Sequence, residues 1–176
     1  MPRVNSVTVT GTAARRAVAR SAMPGSPGQA AVGSLPGDQA PNFTLTALNG
    51  KPVTLSALKG HGVWLNFWAT WCPHCRQELA LIEHEKKLYG SQVAIVGVDL
   101  EQNRGVVASF AHARGLTYPV VLDYQGSVSA AYGVKGLPTS VFISPNGTIK
   151  AVITGAVPSS EVAAPYLRSI GAKANA

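Results

Sequence analysis

The sequence predicts a single α/β domain whose central mixed β-sheet has helices on both faces. Short apolar runs, typical of buried strands, alternate with helical segments through the middle of the chain. Hairpin patterns lie before this alternation and after it. The 46% apolar content of the 176 residues is enough for one core, and no second core is indicated.

The chain begins with a segment of different composition. Residues 1–34 are rich in Thr, Ala and Arg and include a Pro/Gly/Ser stretch at 23–28. We expect a flexible leader over 1–34 and a folded domain over 35–176. The leader has no apolar run long enough for a signal peptide or a membrane span, and no hydrophobic segment follows Arg15-Arg16. The sequence therefore predicts no membrane span, and a cytoplasmic location is one open alternative.

The basic charge is concentrated in that leader. The net charge is +7, of which four units come from arginines at 3, 15, 16 and 20, with no acid nearby to offset them. The remaining charge of +3 is too diffuse for a nucleic-acid footprint, and no motif for one is present. Nucleic acid is therefore excluded as an expected partner.

The elements of the domain follow in order. Alternation over 43–47 and 53–55 around Asn49-Gly50 predicts a first hairpin. A buried strand at 63–68 precedes a helix from Pro73 to about Tyr89, which Gly90 ends. Beyond it we predict a strand at 93–98, a helix at 104–114, a strand at 120–122, a short helix at 127–132, a hairpin of 141–143 with 149–153, and a final helix at 159–170.

The only two cysteines, Cys72 and Cys75, lie where the strand 63–68 gives way to the next helix. Pro73 suits the first helical position, which makes Cys72 the N-cap. There the helix dipole and the free N–H groups favour its thiolate, and Cys75 lies within disulfide reach one turn later. An exposed activated sulfur with a shielded partner is the arrangement required for thiol–disulfide exchange.

Other uses of two cysteines fit the sequence less well. A zinc site would have to recruit His61, His84 or His112, and an iron–sulfur cluster needs more thiolates. Covalent haem attachment requires His directly after the second cysteine, where Arg76 stands. A purely structural disulfide would stabilise little because the loop is so short. We therefore predict no metal and no dissociable cofactor.

Glu78 follows Cys75 by three residues and so lies on the same side of the helix. Two interpretations remain open from position alone. The carboxylate is either solvated, as most helical glutamates are, or it takes the proton of the shielded thiol.

With these elements in place, the chain resembles the thioredoxin superfamily, and within it the TlpA/ResA-like thiol–disulfide oxidoreductases, whose domain is related to the redoxin or AhpC/TSA type. The resemblance covers about 37–155. It rests on the opening Gly-Asp-Gln-Ala-Pro-Asn-Phe at 37–43, the run 65–75 into Cys-Pro-His-Cys, an insert around 99–123, and Gly-Leu-Pro-Thr at 136–139. The resemblance implies a thioredoxin-like fold with an N-terminal hairpin and a central insert. It also implies that Pro138 is a cis proline lying against the disulfide.

Departures from the thioredoxin pattern bear on mechanism. Asn66 stands where thioredoxins proper carry a buried aspartate, whereas TlpA-like members resemble this chain in placing a glutamate at the position of Glu78. The dipeptide Pro73-His74 resembles that of oxidising DsbA-type enzymes, although the rest of the domain resembles reductants. We expect Cys72, Cys75, Glu78 and Pro138 to be catalytic, and Pro73, His74, Trp71 and Asn66 to modulate the pair.

The resemblance implies a protein thiol–disulfide oxidoreductase, which we expect to be a reductant of protein disulfides. Cys72 would attack the substrate disulfide, and Cys75 would resolve the mixed disulfide. The partners would be proteins bearing disulfides or thiols and a redox partner that recharges the pair, and we expect a monomer. Family resemblance favours an extracytoplasmic location.

Two alternatives stay open. Peroxiredoxins share the Gly-Asp-x-Ala-Pro-x-Phe opening, but Ala69 and Leu65 replace the threonine and proline that activate peroxide. Copper-delivery proteins of the Sco type share the fold but space their cysteines by three residues rather than two.

Overall fold

The computed structural model describes residues 31–173. The greater part of the predicted leader, residues 1–30, lies outside this range. Residues 31–34 pair with the start of the domain, because the N–H of Gly33 donates to the carbonyl of Gln39 at 3.0 Å and the N–H of Gln39 donates to the carbonyl of Ala31 at 2.8 Å. Within 31–173 no helix is long and apolar enough to cross a bilayer.

A mixed sheet of five strands forms the centre of the domain. In chain order the strands are β3 (Gly62–Trp68), β4 (Val93–Leu100), β5 (Val120–Asp123), β6 (Thr139–Ile143) and β7 (Ile149–Thr154). Their order across the sheet is β5-β4-β3-β6-β7. The pairs β3/β4 and β4/β5 are parallel, whereas β3/β6 and β6/β7 are antiparallel. The predicted mixed sheet and second hairpin are confirmed.

The predicted first hairpin is also confirmed. It forms a separate two-stranded sheet of β1 (Thr44–Thr46) and β2 (Pro52–Thr54), in which Leu45 pairs with Val53. A 3-10 turn over Leu55–Leu58 connects it to β3. Gly50 adopts a positive φ of 83°, which glycine tolerates at such a turn.

The sheet divides the core into two parts, and the helices lie on its two faces. The helices are α1 (Pro73–Tyr89), α2 (Arg104–Ala113), α3 (Ser127–Ala131) and α4 (Ser160–Ser169). One core cluster joins α1, α2 and α4 to Trp64 and Trp68 of β3. The other joins the hairpin and the end of α3 to Leu65 and Phe67 of the same strand. Since both faces are covered, all seven residues of β3 are buried, as its continuous apolar pattern predicts.

Candidate active site

The two cysteines form a disulfide at the end of the central strand. The S–S distance between Cys72 and Cys75 is 2.17 Å and the Cα–Cα distance is 5.3 Å. β3 ends at Trp68 and α1 begins at Pro73, so the pair occupies the strand-to-helix junction that the sequence predicts. In a mainly parallel arrangement such as β3, β4 and β5, the carboxyl ends of the strands share one edge, and this edge carries the disulfide.

The start of α1 explains how the sulfur of Cys72 is placed. Cys72 is the N-cap, Pro73 occupies the first turn, and the N–H of Cys75 donates to Cys72 Sγ at 3.2 Å. The sulfur therefore lies at the positive end of the helix, as predicted. The expected contrast in exposure is wrong for this oxidised state. Cys72 is only 4% exposed and Cys75 1%, because both pack into the core cluster beside Trp68 and Leu79.

A glutamine that sequence analysis overlooked holds the loop before Cys72. The N–H of Thr70 donates to Gln102 Oε1 at 2.7 Å, and Gln102 Nε2 donates to Thr70 Oγ1 at 2.8 Å. Both bonds cross from the end of β4 to the end of β3, and Glu101, which precedes Gln102, has a positive φ of 56°. A non-glycine residue in this conformation marks local backbone strain, here one residue before the glutamine that binds Thr70. No spacing rule in the sequence links positions 70 and 102.

Glu78 is buried beside the disulfide rather than solvated. It lies on α1 three residues after Cys75 and is 2% exposed, so the solvated interpretation is wrong. Burial raises the pKa of Glu78 from 4.5 to about 7, because desolvation penalises the carboxylate more than the nearby Val157 backbone, Ser140 and Asn66 stabilise it. A carboxyl group with a pKa near neutral is suited to exchange a proton at physiological pH.

One hydroxyl group organises the polar contacts of Glu78. Ser140 Oγ accepts a hydrogen bond from Trp64 Nε1–H at 2.8 Å, and it lies 3.4 Å from both Asn66 Nδ2 and Glu78 Oε1. The indole N–H and the amide NH₂ can only donate, so the single hydroxyl proton of Ser140 is directed to Glu78 Oε1. Glu78 Oε2 has no hydrogen-bond partner within the described residues.

Ser140 was not identified from the sequence. It stands two residues after Pro138 on β6, opposite Asn66 in the antiparallel register. That register, which brings β6 beside β3, depends on sheet topology rather than on any local motif.

A second group of buried polar atoms lies next to the site. Asp99 is opposite Trp68 in the β3/β4 register and is fully buried, and its two carboxylate oxygens have no hydrogen-bond partner within residues 31–173. Burial raises the pKa of Asp99 from 3.8 to about 7. The Trp68 Nε1 and Tyr118 Oη atoms are likewise buried and unpartnered within the same range. Burial and then the charges of Glu83 and Glu78 raise the pKa of Tyr118, so this phenol stays protonated.

The remaining predicted residues take different positions. The Leu137–Pro138 bond is cis, as the resemblance implies, and Pro138 is buried immediately before β6. His74 is exposed, and Trp71 is 65% exposed although the neighbouring Trp68 is fully buried. Asn66 is buried on β3. Over residues 31–173, no three His, Cys, Asp or Glu side chains converge as ligands for a metal ion.

Comparison with known sequences places this site in a family. The AhpC/TSA family matches residues 36–152, which include the hairpin, the disulfide, the cis proline and most of the sheet. The chain is also similar to the thiol-disulfide oxidoreductase ResA of Bacillus subtilis, with 42% identity over 127 residues that cover 72% of this chain and 71% of the relative.

Solved structures show the same fold. A putative thiol:disulfide interchange protein DsbE from Chlorobium tepidum is similar with a TM-score of 0.71 and 32% identity, covering 77% of this chain and 97% of that one. A secreted Mycobacterium tuberculosis disulfide oxidoreductase homologous to Escherichia coli DsbE is similar with a TM-score of 0.63 and 27% identity, covering 72% of this chain and 92% of that one. The chain therefore belongs to the TlpA/ResA-like thiol–disulfide oxidoreductases of the thioredoxin superfamily.

Proposed function

We propose that this protein is a reductant of protein disulfides and that the Cys72–Cys75 pair supplies the two electrons. The observation that supports exchange at this pair most directly is a disulfide at the N-terminus of α1 with the buried acid Glu78 one turn away. The reducing direction rests on the resemblance of the domain to the reducing members of the family. The helix terminus favours a thiolate at Cys72, and the acid provides a proton site for Cys75.

The reaction proceeds through a mixed disulfide. The Cys72 thiolate of the reduced protein attacks one sulfur of the substrate disulfide, and the other substrate sulfur leaves as a thiolate that takes a proton. Cys75 then loses its proton and attacks Cys72 Sγ, which releases the second substrate thiol. The substrate gains two electrons, the protein becomes the Cys72–Cys75 disulfide, and a separate redox partner must reduce it again.

Glu78 acts as the proton acceptor for Cys75 in the resolving step. Its raised pKa and its position one turn from Cys75 support this role. Oε1 stays bound to the Ser140 hydroxyl, so Oε2 is the oxygen proposed to receive the proton.

The other predicted residues shape the pair. Pro138, in its cis form, places the loop before β6 against the disulfide, and Pro73 fixes the first turn of α1. His74 stabilises the Cys72 thiolate, and Trp71 presents an exposed aromatic surface to the partner protein. Asn66 places a neutral amide on β3 at the position where thioredoxins proper carry a buried aspartate. The exposure of His74 and Trp71 and the burial of Asn66 support this division.

Trapping experiments test the assignment of the two sulfurs. Cys75→Ser is expected to accumulate covalent adducts with disulfide-bearing proteins, because the resolving thiol is absent, whereas Cys72→Ser should accumulate none. Stable adducts on Cys72→Ser with none on Cys75→Ser would reverse the roles.

Direction is tested by equilibrating the pair with glutathione and by following reduction of insulin disulfides. We expect a potential closer to the value of about −270 mV typical of thioredoxin than to the value of about −120 mV typical of DsbA. A potential near the DsbA value, with no insulin reduction, would make the protein an oxidant.

We also propose an extracytoplasmic location, with disulfide-bearing proteins as substrates. The similarity to the secreted disulfide oxidoreductase of M. tuberculosis supports it. Fractionation of cells that express the full chain provides the test, and recovery only with cytoplasmic markers would refute it.

A further inference from the structure

The fold separates the charges of the domain in a way that the sequence total conceals. Five of the eight carboxylates of the chain are buried, namely those of Glu78, Glu83, Glu85, Asp99 and Asp123. Only Asp38, Glu101 and Glu161 are wholly or partly accessible. The lysines and arginines of the described range, in contrast, are exposed or half-buried. The surface is therefore much more basic than the net charge suggests.

This imbalance extends to the disulfide. The segments 71–76 and 133–139, which border the redox pair and lead to the cis proline, carry the exposed side chains of His74, Arg76 and Lys135 and no carboxylate. Of the accessible acids, Glu101 follows β4 on the β5 side, and Glu161 lies in the first turn of α4. Asp38 lies at the opposite edge, where its carbonyl accepts from the N–H of Ile149.

An aromatic platform fixes two of the guanidinium groups near the site. Arg76 lies 5.8 Å and Arg114 5.1 Å from the ring centroid of Phe110. Phe110 in turn packs against the buried Trp68, with ring centroids 5.6 Å apart. Neither guanidinium forms an ion pair with a carboxylate in residues 31–173. Both are therefore held by cation–π contacts and keep their N–H donors free for an external anion.

We propose that this basic rim, formed by His74, Arg76, Arg114 and Lys135 around the exposed Trp71, docks a carboxylate-bearing polypeptide segment next to the cysteines of the partner protein. The proposal rests on the proposed function and specifies its substrate class. Charge complementarity supports it, because a basic surface with free guanidinium groups attracts and orients acidic segments. An exposed aromatic centre within a charged rim is also the common arrangement of a protein interface.

Three synthetic disulfide peptides, identical except for Glu, Gln or Lys beside the cysteines, provide the test. The reduced full-length protein is mixed with each peptide, and the second-order rate of peptide reduction is measured by acid quenching at low and high salt. We expect the order Glu, Gln, Lys, with the Glu peptide at least about tenfold faster than the Lys peptide at low salt. The difference should shrink at high salt because the charges are exposed.

A matched pair of double variants distinguishes the rim from overall charge. R76Q/K135Q is expected to bring the Glu-to-Lys rate ratio close to one. K150Q/R168Q removes the same charge elsewhere, since Lys150 is the second residue of β7 and Arg168 lies in the last turn of α4, and it should preserve the ratio. Equal rates for the three peptides, or the same loss of ratio in both double variants, would overturn the proposal.

Two further outcomes are separable. Binding of the wild type to phosphatidylglycerol vesicles that is lost in R76Q/K135Q, together with peptide rates independent of charge, would assign the rim to a lipid surface and overturn the proposal. Failure to reduce even the Gln peptide would instead refute the reductant function on which the proposal rests.

Discussion

Replacement of Glu78 by Gln should change how the stability of the oxidised protein depends on pH. Gln keeps the shape of the side chain and removes its charge. In the oxidised state both cysteines are in the disulfide, so they do not titrate and do not obscure the effect.

The sign follows from the raised pKa. Below pH 4.5 Glu78 is protonated in the folded and the unfolded chain, and it adds no pH dependence. Above that pH the unfolded chain releases the proton while the folded protein keeps it up to about pH 7, so stability falls through this window. A difference from 4.5 to about 7 corresponds to about 3 kcal/mol, to order of magnitude, for a buried group. Glu78→Gln removes this loss.

The measurement is the free energy of unfolding by urea at intervals between pH 4 and pH 9. The variant should gain about 3 kcal/mol on the wild type between pH 4 and pH 8, whatever fixed offset the amide introduces. Asp99→Asn provides a parallel test at a second buried acid, because burial raises the pKa of Asp99 from 3.8 to about 7. The free energy of unfolding of this variant should gain about 4 kcal/mol on the wild type over the same pH range. A pH-independent difference between Glu78→Gln and the wild type would show that Glu78 is solvated and that the proposed proton transfer is unsupported.

Three more substitutions address neighbouring contacts. Ser140→Ala should destabilise the protein by about 1–3 kcal/mol, because the buried Trp64 Nε1–H loses its acceptor. It should also raise the midpoint of the Glu78 titration, because Glu78 Oε1 loses its hydroxyl donor, whereas Ser140→Thr keeps the hydroxyl and should not raise it. Gly97→Ala should cost about 1–3 kcal/mol in urea unfolding, since its Cβ would lie 2.9 Å from Trp68 Nε1 and 3.1 Å from Tyr118 Cε2, whereas Gly136→Ala has its nearest contact at 3.8 Å and should be nearly neutral. His74→Val should make the reduction potential of the disulfide, measured by equilibration with glutathione, more negative by about 30 mV if the Cys72 thiolate loses about 1.4 kcal/mol of stabilisation. An unchanged potential would show that His74 does not tune the pair.

Local patterns were sufficient to predict the elements and the position of the redox pair. The continuous apolar run before Cys72 predicts a strand buried on both faces, and β3 is buried at every position. Pro73 and Gly90 bound the predicted helix because each suits one helix end, and α1 runs from Pro73 to Tyr89. These signals act over a few residues, so one sequence is enough to read them.

Contacts between distant segments could not be read in this way. Ser140 meets Glu78 across 62 positions, because α1 packs on the sheet beside β6. Gln102 meets Thr70 across 32 positions, because the sheet order places β4 beside β3. The exposure of Cys72 was misjudged because a helix-start pattern does not show how the core packs around it. An N-cap is usually at the surface, but here Cys72 and Cys75 both belong to the core cluster that contains Trp68 and Leu79.

Ser140 connects the strand that follows the cis proline to Glu78, the proposed proton acceptor. It stands two residues beyond Pro138 on β6, and its hydroxyl joins that strand to Trp64 on β3 and to Glu78 on α1. A displacement of β6 when a substrate binds at the loop before it would therefore alter the donor to Glu78 Oε1. Loss of that donor would raise the pKa of Glu78 and make it a stronger proton acceptor. Attack by Cys75 requires that Glu78 accept a proton, so substrate contact on the Pro138 loop and readiness for the resolving step would be coupled through one hydrogen bond.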